Sequence, residues 1–364
     1  MTKVILAANI TVKGGVWRHL VDLGRGLRDR GCQVALALPT GASGLVSEAA
    51  GLRLQTQDLR STAKADIWHG HLADTYDRQM LARLTIARRS AGAVILTEHL
   101  PRSNASDPTA LHGEQMRTFG AWPTKTIFKR SEYALCHRVV CVSEASRRFV
   151  MIRYGLDGRK VVSIPNGVEC TAAPAAWPQG LPLFVAVGSV IMQKGFDVLI
   201  KAATCAAVPW QAQVIGDGPH LAPLRKRAEL TSGRVTFVGP SKDIGADLEA
   251  ATALVVPSRW EAWPYVCLEA MERARPIVAT NVDGLPEMVS GGTTGLLVNP
   301  EEPAALAGAL DRLASDRTLA ERMGRCGRER VASFGVAQMV DGLLGVYEEA
   351  LDRVRILDAV THRA

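Results

Sequence analysis

The chain has 364 residues, of which 47% are hydrophobic and 22% charged, and its formal net charge is +7. This composition is typical of a globular protein, and the length favours two domains over one. A membrane-spanning helix is not expected, because no apolar run approaches the ~20 residues that one requires. The short apolar run near the N-terminus, MTKVILAANITVKGG, predicts a first β-strand rather than a signal peptide.

Cysteine usage indicates the cellular compartment, and the charge distribution restricts the kinds of partner to be expected. The seven cysteines form no C-x-x-C pair, which argues against a zinc site or a disulfide framework and favours cytoplasmic thiols. Basic residues are scattered without long like-charged blocks, and no aromatic-basic motif is present, so we expect no nucleic-acid partner. The positive charge is compatible with weak peripheral contact at the inner membrane face.

Short apolar segments alternate with amphipathic helical segments through the first half of the chain. The predicted strands are Lys3–Ala8, Gln33–Leu38, Ala65–His69, Ala93–Thr97, Arg138–Val142 and Val161–Ile164. The predicted helices run from Gly14-Gly15 to about Arg30, over Arg78–Arg89 and Thr124–His137, and onward from a cap at Ser143. Such alternation predicts a parallel sheet covered by helices on both faces.

A second alternating set follows a segment rich in proline and small residues, 170–182, which is the predicted linker. Its predicted strands are Leu183–Gly188, Gln211–Gly216, Arg234–Gly239, Ala253–Pro257, Pro276–Thr280 and Gly295–Val298. Several helices are predicted over Pro303–Val360. The fold class is therefore α/β, with two doubly wound, Rossmann-like domains of similar size.

Ligands of open α/β sheets bind at the carboxyl ends of the strands, and polar residues follow several predicted strands. They are Asn9, His69, His71, His99, Asn166, Ser189 and Glu261. His99 could carry a proton or hold a substrate hydroxyl, and a histidine bonded to backbone is the alternative. The pair His69 and His71 suggests a metal, but no further ligands occur nearby at zinc-like spacing. Structural hydrogen bonding is therefore favoured for that pair.

Two glycine-containing turns are candidate phosphate contacts. Gly14 and Gly15 lie between the first strand and the first helix, where backbone can approach a phosphate closely, although a plain tight turn is equally typical. Lys194-Gly195 follows the first strand of the second half, and its lysine would neutralise phosphate across a cleft unless it is an ordinary surface lysine. No dinucleotide fingerprint or P-loop is present.

The segment 258–287 contains the most distinctive pair of carboxylates, Glu261 and Glu269. Pro264 is predicted as the first residue of a helix that ends near Arg273. The preceding Trp263 has no side-chain oxygen to cap the helix, which leaves the first amides for an anion. These features predict a pocket for a ligand that carries both hydroxyls and phosphate. The alternative is that two glutamates occur by chance on a solvated helix.

The motifs together resemble the retaining glycosyltransferases of the GT-B fold, family four. In the first half they read KGGVWRHLVDLGRGLRDRGCQV, DIWHGHLAD, VILTEHL, VVCVSEASRRF and VVSIPNGV. In the second half they read VAVGSVIMQKGFDVLIKA, VIGDGPHLAPLRKRA, VTFVGP, VVPSRWEAWPYVCLEAMERARPIVATNVDGLPEMV and TGLLV. The resemblance implies an acceptor domain over 1–169 and a donor domain over 183–344, facing each other across a cleft. A C-terminal helix, about 345–364, would pack back onto the first domain.

The resemblance also implies roles for individual residues toward a nucleotide-sugar donor. Glu269 would hold the ribose hydroxyls, Glu261 would lie beside the donor sugar, and Lys194 would bind the diphosphate opposite Gly14 and Gly15. The amides of the segment Trp263–Val266, which includes Pro264 and Tyr265, would meet the sugar and diphosphate. His99 would lie at the reacting edge, and no metal or other cofactor is expected.

Two positions depart from the family pattern. Ser189 stands where an arginine is usual, and Asp283 stands where the first of two glycines is usual. Both changes make the expected donor site less positive. We therefore expect Lys194 and the helix amides to carry more of the diphosphate charge than in most relatives.

The expected activity is transfer of a sugar from a nucleoside-diphosphate sugar, with UDP favoured over GDP, to a hydroxyl acceptor. The alternatives are an epimerase on the same fold, a non-catalytic sugar-nucleotide-binding protein, and a two-lobed solute-binding protein. We expect the irregular stretch Pro101–Pro123 to set the preference for the acceptor. Trp122, Lys125, Phe128, Lys129 and Arg130 could contact lipid, but ordinary packed and solvated faces of one helix are favoured.

Overall fold

The structure, a computed structural model, describes residues 1–73, 77–100 and 122–361. Two compact units make up the chain. One comprises Met1–Gly167 and Val336–Ala364, and the other comprises Val168–Gly335. Each unit contains one parallel sheet with helices, which confirms the predicted fold class.

The first unit is built on a seven-stranded parallel sheet in the order β3-β2-β1-β4-β5-β6-β7. Its strands are β1 (Lys3–Ala8), β2 (Gln33–Leu38), β3 (Gln55–Asp58), β4 (Ala65–Leu72), β5 (Ala91–Glu98), β6 (Arg138–Cys141) and β7 (Val161–Ser163). Its helices are α1 (Gly15–Asp29), α2 (Ser43–Gly51), α3 (Arg78–Ser90), α4 (Trp122–Leu135), α5 (Glu144–Tyr154) and α13 (Val336–Thr361). The predicted cap of α5 is confirmed, because Ser143 Oγ accepts from the amide of Ser146 at 3.1 Å.

The continuous apolar sequence of β1 is explained by burial on both faces of the sheet. Val4 and Leu6 pack into one core together with α1 and α13, whereas Ile5 and Ala7 pack into a second core on the opposite face. Successive strand residues point to opposite faces, so a doubly covered strand must be apolar throughout.

Two elements of the first unit, α2 and β3, were missed by the sequence prediction. The strand β3 has the sequence QTQD and lies at the edge of the sheet, where β2 is its one partner among the described strands. A polar edge strand carries no apolar pattern, so periodicity cannot detect it. The strand β4 also extends past the predicted end at His69, as far as Leu72.

The division of the chain differs from the predicted domain boundaries. The C-terminal helix α13 belongs to the first unit from Val336 onward, not from residue 345, because Met339, Val340 and Leu343 lie in the core beneath α1. The two helices approach so closely that a Cβ on Gly26 of α1 would lie 2.5 Å from Val340 Cγ2.

The predicted linker, 170–182, is packed against the second unit. The amide of Ala172 donates to Glu272 Oε1 at 2.7 Å, and the guanidinium of Arg275 lies 5.0 Å from the ring centre of Trp177. Its proline-rich composition reflects irregular backbone, which a packed surface segment and a free linker share.

The second unit contains a six-stranded parallel sheet in the order β10-β9-β8-β11-β12-β13. Its strands are β8 (Leu183–Val187), β9 (Gln211–Ile215), β10 (Val235–Gly239), β11 (Ala253–Val256), β12 (Ile277–Thr280) and β13 (Gly295–Val298). Its helices are α6 (Phe196–Cys205), α7 (Leu221–Ala228), α8 (Ile244–Ala250), α9 (Tyr265–Glu272), α10 (Leu285–Met288), α11 (Pro303–Ser315) and α12 (Arg317–Val331). All strands paired in this sheet run parallel, as the alternation of strands and helices predicted.

The helix α4 contains the residues considered for lipid contact. Lys129 is buried and ion-paired with Glu98 and Glu132, and Arg130 donates to the carbonyl of Tyr154 at 2.9 Å. Lys129 is therefore a packed residue, as favoured from the sequence. The side chains of Trp122 and Lys125, and the acceptor stretch 101–121, lie outside the described residues. Within the described part of the chain, no helix combines the length and apolarity needed to cross a bilayer.

Candidate functional site

The loop after β8 fixes the position of Lys194 in the second unit. Lys194 ends a single 3-10 turn, Met192–Lys194, and Gly195 then caps α6 in the left-handed conformation with φ +64°. A Cβ on Gly195 would lie 1.9 Å from the carbonyl oxygen of Pro257, so only glycine fits. This close approach places the lysine against the end of β11, from which the loop with Glu261 begins.

Lys194 and Glu261 form an ion pair. The ammonium Nζ contacts Glu261 Oε1, and Ser258 Oγ donates to the same oxygen at 3.1 Å. Glu261 is 5% exposed and the side chain of Lys194 is 20% exposed, so the pair is mostly shielded from water while the lysine remains accessible. Two residues that were predicted to have separate roles are therefore held together as one ion pair.

Asp283 braces the loop that contains Glu261. Its Oδ2 accepts from the Glu261 amide at 3.1 Å, and the amide of Gly284 donates to the Glu261 carbonyl at 3.1 Å. Asp283 has φ +45°, a left-handed conformation that the glycine usual at this position would adopt freely. The sequence predicted an added negative charge here, and the structure shows that this carboxylate also orders the backbone.

The helix α9 begins one residue later than predicted. Pro264 is its N-cap, with extended dihedrals of φ −71° and ψ 125°, and Tyr265 is the first helical residue. The prediction failed because the φ of proline suits both positions, and only ψ separates them. The helix start has no side-chain cap and no acidic residue in its first turn, which matches the expected environment for an anion.

The remaining donor-site candidates of the second unit lie near these elements. Glu269 is on the second turn of α9 and is half-buried. Ser189 is exposed, next to Gly188, where a Cβ would lie 3.1 Å from the Lys194 side chain. Arg259 does not replace the arginine lost at Ser189, because its guanidinium bonds both oxygens of Asp197 at 2.9 Å and also pairs with Glu301.

In the first unit, α1 starts where the glycine pair predicted. Gly14 is the N-cap and Gly15 the first helical residue, and both are exposed. A Cβ on Gly14 would meet nothing within 4 Å, so the space beside this helix start is open. The turn has no side-chain cap, as an anion contact requires.

The histidines predicted separately at strand ends form one cluster in the first unit. His71 Nδ1 lies 3.3 Å from His99 Nε2, and the His19 ring centre lies 4.7 Å from that of His99. The hydrogen bonding favoured for the His69 and His71 pair is found at His69, which contacts Tyr347 Oη and Thr97 Oγ1, each at 2.7 Å. Sequence spacing offered no third and fourth ligand near this pair, but folding brings His19 and His99 beside His71.

Burial sets the protonation state of this cluster. It lowers the pKa of His19 to about 4, against a smaller opposing effect from the hydrogen bond to Asn166. The pKa values of His71 and His99 also lie well below the usual range, mainly through burial and secondarily through the neighbouring imidazoles. A neutral His99 at pH 7 is suited to hold a substrate hydroxyl, the second of the two roles considered from the sequence.

Two site residues, His19 and Ser258, were not singled out from the sequence. His19 lies on the buried face of α1, where Nδ1 donates to Asn166 Oδ1 at 2.9 Å. A histidine at an apolar position of an amphipathic helix was the available signal. Ser258 gave none, because serine at a strand end is ordinary.

Comparison with protein families covers most of the chain. The model described as Glycosyltransferase Family 4 matches residues 13–172, and the model described as Glycosyl transferases group 1 matches residues 181–316.

Individual relatives agree with these matches. An α-D-kanosaminyltransferase of Streptomyces kanamyceticus is 29% identical over 65% of this chain and 58% of its own length. An α-maltose-1-phosphate synthase of Mycobacterium tuberculosis is 31% identical over 63% of this chain and 67% of its own length. The match therefore spans roughly three fifths to two thirds of these relatives. The crystal structure of Anabaena HepE in complex with UDP-glucose superimposes with a TM-score of 0.78 at 16% sequence identity. The match covers 96% of this chain and 100% of the HepE chain.

Proposed function

Because this chain belongs to the family 4, group 1 glycosyltransferases, we propose that it transfers a sugar from a nucleoside-diphosphate sugar to an acceptor hydroxyl with retention of configuration. A UDP-sugar is the favoured donor, since the similar HepE structure contains UDP-glucose, and a GDP-sugar is the alternative. The acceptor is a saccharide, a lipid-linked sugar or a natural product.

The observation that carries the proposal is the Lys194–Glu261 pair, held beside an uncapped helix start in the second unit. Cleavage of a sugar from a diphosphate leaves negative charge on the phosphate and oxocarbenium character on the sugar. The ammonium has three donors, so it can contact phosphate while it keeps its bond to Glu261. The amides at the start of α9 stabilise the same charge, and Glu261 stabilises the sugar cation.

The proton inventory is consistent with front-face transfer. The acceptor oxygen forms the new bond to the anomeric carbon as the phosphate oxygen leaves, and its proton passes to that departing phosphate. His99, neutral at pH 7, holds the acceptor or donor-sugar hydroxyl in the first unit. In this proposal, positive charge from Lys194 and the helix dipole stabilises the departing phosphate without a metal.

The direct test is a thermal-shift panel with UDP, GDP, ADP and their glucose conjugates. A uridine or guanosine nucleotide should raise the melting temperature by mass action, and a response to none of the panel would refute donor binding. Incubation with donor alone then separates the alternatives. An epimerised nucleotide sugar would indicate an epimerase, whereas binding with no turnover toward any acceptor would indicate a non-catalytic binding protein.

Glu269→Ala is expected to weaken nucleotide binding by about 1.5–3 kcal/mol, the contribution of a hydrogen bond to a charged group. The proposed bond joins its carboxylate to the ribose hydroxyls, so a 2′,3′-dideoxynucleotide, which lacks both, should bind the variant and the parent almost equally. Isothermal titration of both nucleotides against both proteins measures this. Glu229→Ala, at an exposed glutamate of the same unit, is the matched control. An unchanged affinity in Glu269→Ala would remove this residue from the donor site.

A further inference from the structure

Three imidazoles of the first unit converge from different elements. His19 comes from α1, His71 from β4, and His99 directly follows β5. One ring nitrogen of each lies within 4.8 Å of the other two. The neighbouring His69 does not join this group, because both of its nitrogens contact hydroxyls, of Tyr347 and Thr97.

The nitrogens of this group differ in their partners, because His71 Nδ1 contacts His99 Nε2 whereas two other nitrogens have no hydrogen-bond partner among the described residues. His19 donates from Nδ1 to Asn166 Oδ1, which leaves Nε2 as the unprotonated nitrogen. His19 is 2% exposed and His71 is 0% exposed, and Nε2 of each has no hydrogen-bond partner among the described residues. A buried polar atom without a partner is costly, so Nε2 of His19 favours a ligand. His71 would bind through Nδ1, which lies beside His99 Nε2, and an ion would replace that contact.

The spacing and chemistry of the group fit a borderline-soft divalent cation. Nitrogens bound to zinc at about 2.0–2.1 Å in a tetrahedron are about 3.4 Å apart. His71 Nδ1 and His99 Nε2 are already 3.3 Å apart, so the ring of His19 needs to shift by little more than about 1 Å. The Asn166 carbonyl holds the outer nitrogen of His19, the usual support for a metal-binding imidazole.

We propose that His19, His71 and His99 form a binding site for one Zn²⁺ or similar transition-metal ion. Three histidine ligands leave the fourth position open. Since the proposed function assigns His99 to the reacting edge, an ion here withdraws that imidazole from the substrate. The site is therefore inhibitory for transfer and is separate from any metal requirement of the reaction.

The binding test uses the metal-free full-length protein without substrates. Titration with Co²⁺, followed by its visible absorption, and with Zn²⁺ by calorimetry should show one bound equivalent. Asn166→Ala should weaken metal binding about 10–100-fold, because the outer nitrogen of His19 loses its hydrogen-bond acceptor. His19→Ala should abolish metal binding. His220→Ala, in the second unit, is the matched control and should bind like the parent.

The absence of a bound equivalent in the parent protein overturns the site, whether or not the variants fold. Equal loss of binding in His220→Ala would overturn the ligand assignment. A separate activity measurement tests the link to function, in which inhibition should follow zinc occupancy. Stoichiometric binding without inhibition would leave the metal site intact and refute the placement of His99 at the reacting edge.

Discussion

Lys194→Ala is expected to lower the rate of sugar transfer about 10²–10³-fold, the usual effect of removing one preorganised donor from a developing charge. The effect should fall on kcat more than on KM, because the phosphate charge develops as the bond breaks. With serine at position 189 and Arg259 bound to Asp197 and Glu301, no second cation from these positions replaces the lysine. Steady-state kinetics with a saturating acceptor measures the change.

Loss of the ion pair is also expected to affect the stability of Lys194→Ala, and control variants separate that effect from the effect on catalysis. Removing Lys194 leaves Glu261, 5% exposed, with Ser258 as its remaining side-chain donor, and an uncompensated charge destabilises the fold. The double variant Lys194→Ala/Glu261→Gln removes that charge, so it should regain stability and remain inactive. Lys242→Ala, at an exposed lysine of the same unit, should leave the rate unchanged. Near-normal turnover in Lys194→Ala would exclude the lysine from catalysis.

Lys129→Met is expected to reduce the stability of the first unit by about 3–5 kcal/mol, as breaking one side of a buried charge pair does. Lys129 contacts Glu98 and Glu132, all three are buried, and Tyr133 Oη also donates to Glu98 at 2.7 Å. Although burial alone would lower it, the two carboxylates hold the pKa of Lys129 above its usual value. Methionine keeps most of the unbranched apolar stem and removes the ammonium group with its charge and its hydrogen-bond donors.

The loss should depend on pH in a defined direction. Even beside Lys129, burial raises the pKa of Glu132 from 4.5 to about 7. In the variant, the folded-state pKa of Glu132 lies above its unfolded value, so the folded state retains a proton that the unfolded state has released. The stability that this protonated carboxyl contributes is fully present below the unfolded pKa and is lost as pH rises through the folded pKa.

Urea unfolding of Lys129→Met at about pH 5.5 and pH 8 measures this difference, with Lys242→Met as the exposed control. The variant should be least stable at the higher pH. Adding Glu132→Gln should recover part of the lost stability at pH 8, because one of the uncompensated carboxylates is gone. Equal destabilisation at both pH values would show that packing, and not charge, connects Lys129 to its neighbours.

Much of the architecture was predictable because its cause is local. Continuous apolar strands such as β1 require burial on both faces, and their alternation with amphipathic helices requires parallel pairing. The glycine at position 195 likewise has a local cause, because it caps α6 in the left-handed conformation. The polar edge strand β3 escaped prediction because its pairing, not its composition, makes it a strand.

The donor-site candidates were also identifiable as separate residues, but their mutual contacts were not. Sequence spacing places Lys194 and Glu261 67 residues apart, and only the close approach of Gly195 to Pro257 brings their side chains together. Asp283 could be recognised as an unusual charge, yet its bond to the Glu261 amide depends on a left-handed turn.

The sequence by itself determined the two α/β units, the strand-end positions of the polar residues, and the candidate donor-site motif. These follow from periodicity and from residue types with fixed conformational or chemical preferences. The tertiary structure alone decided the ion pair, the buried charges around Lys129 and the convergence of His19, His71 and His99. Each of those features joins residues from different elements, and such contacts arise only when the sheet and its helices pack.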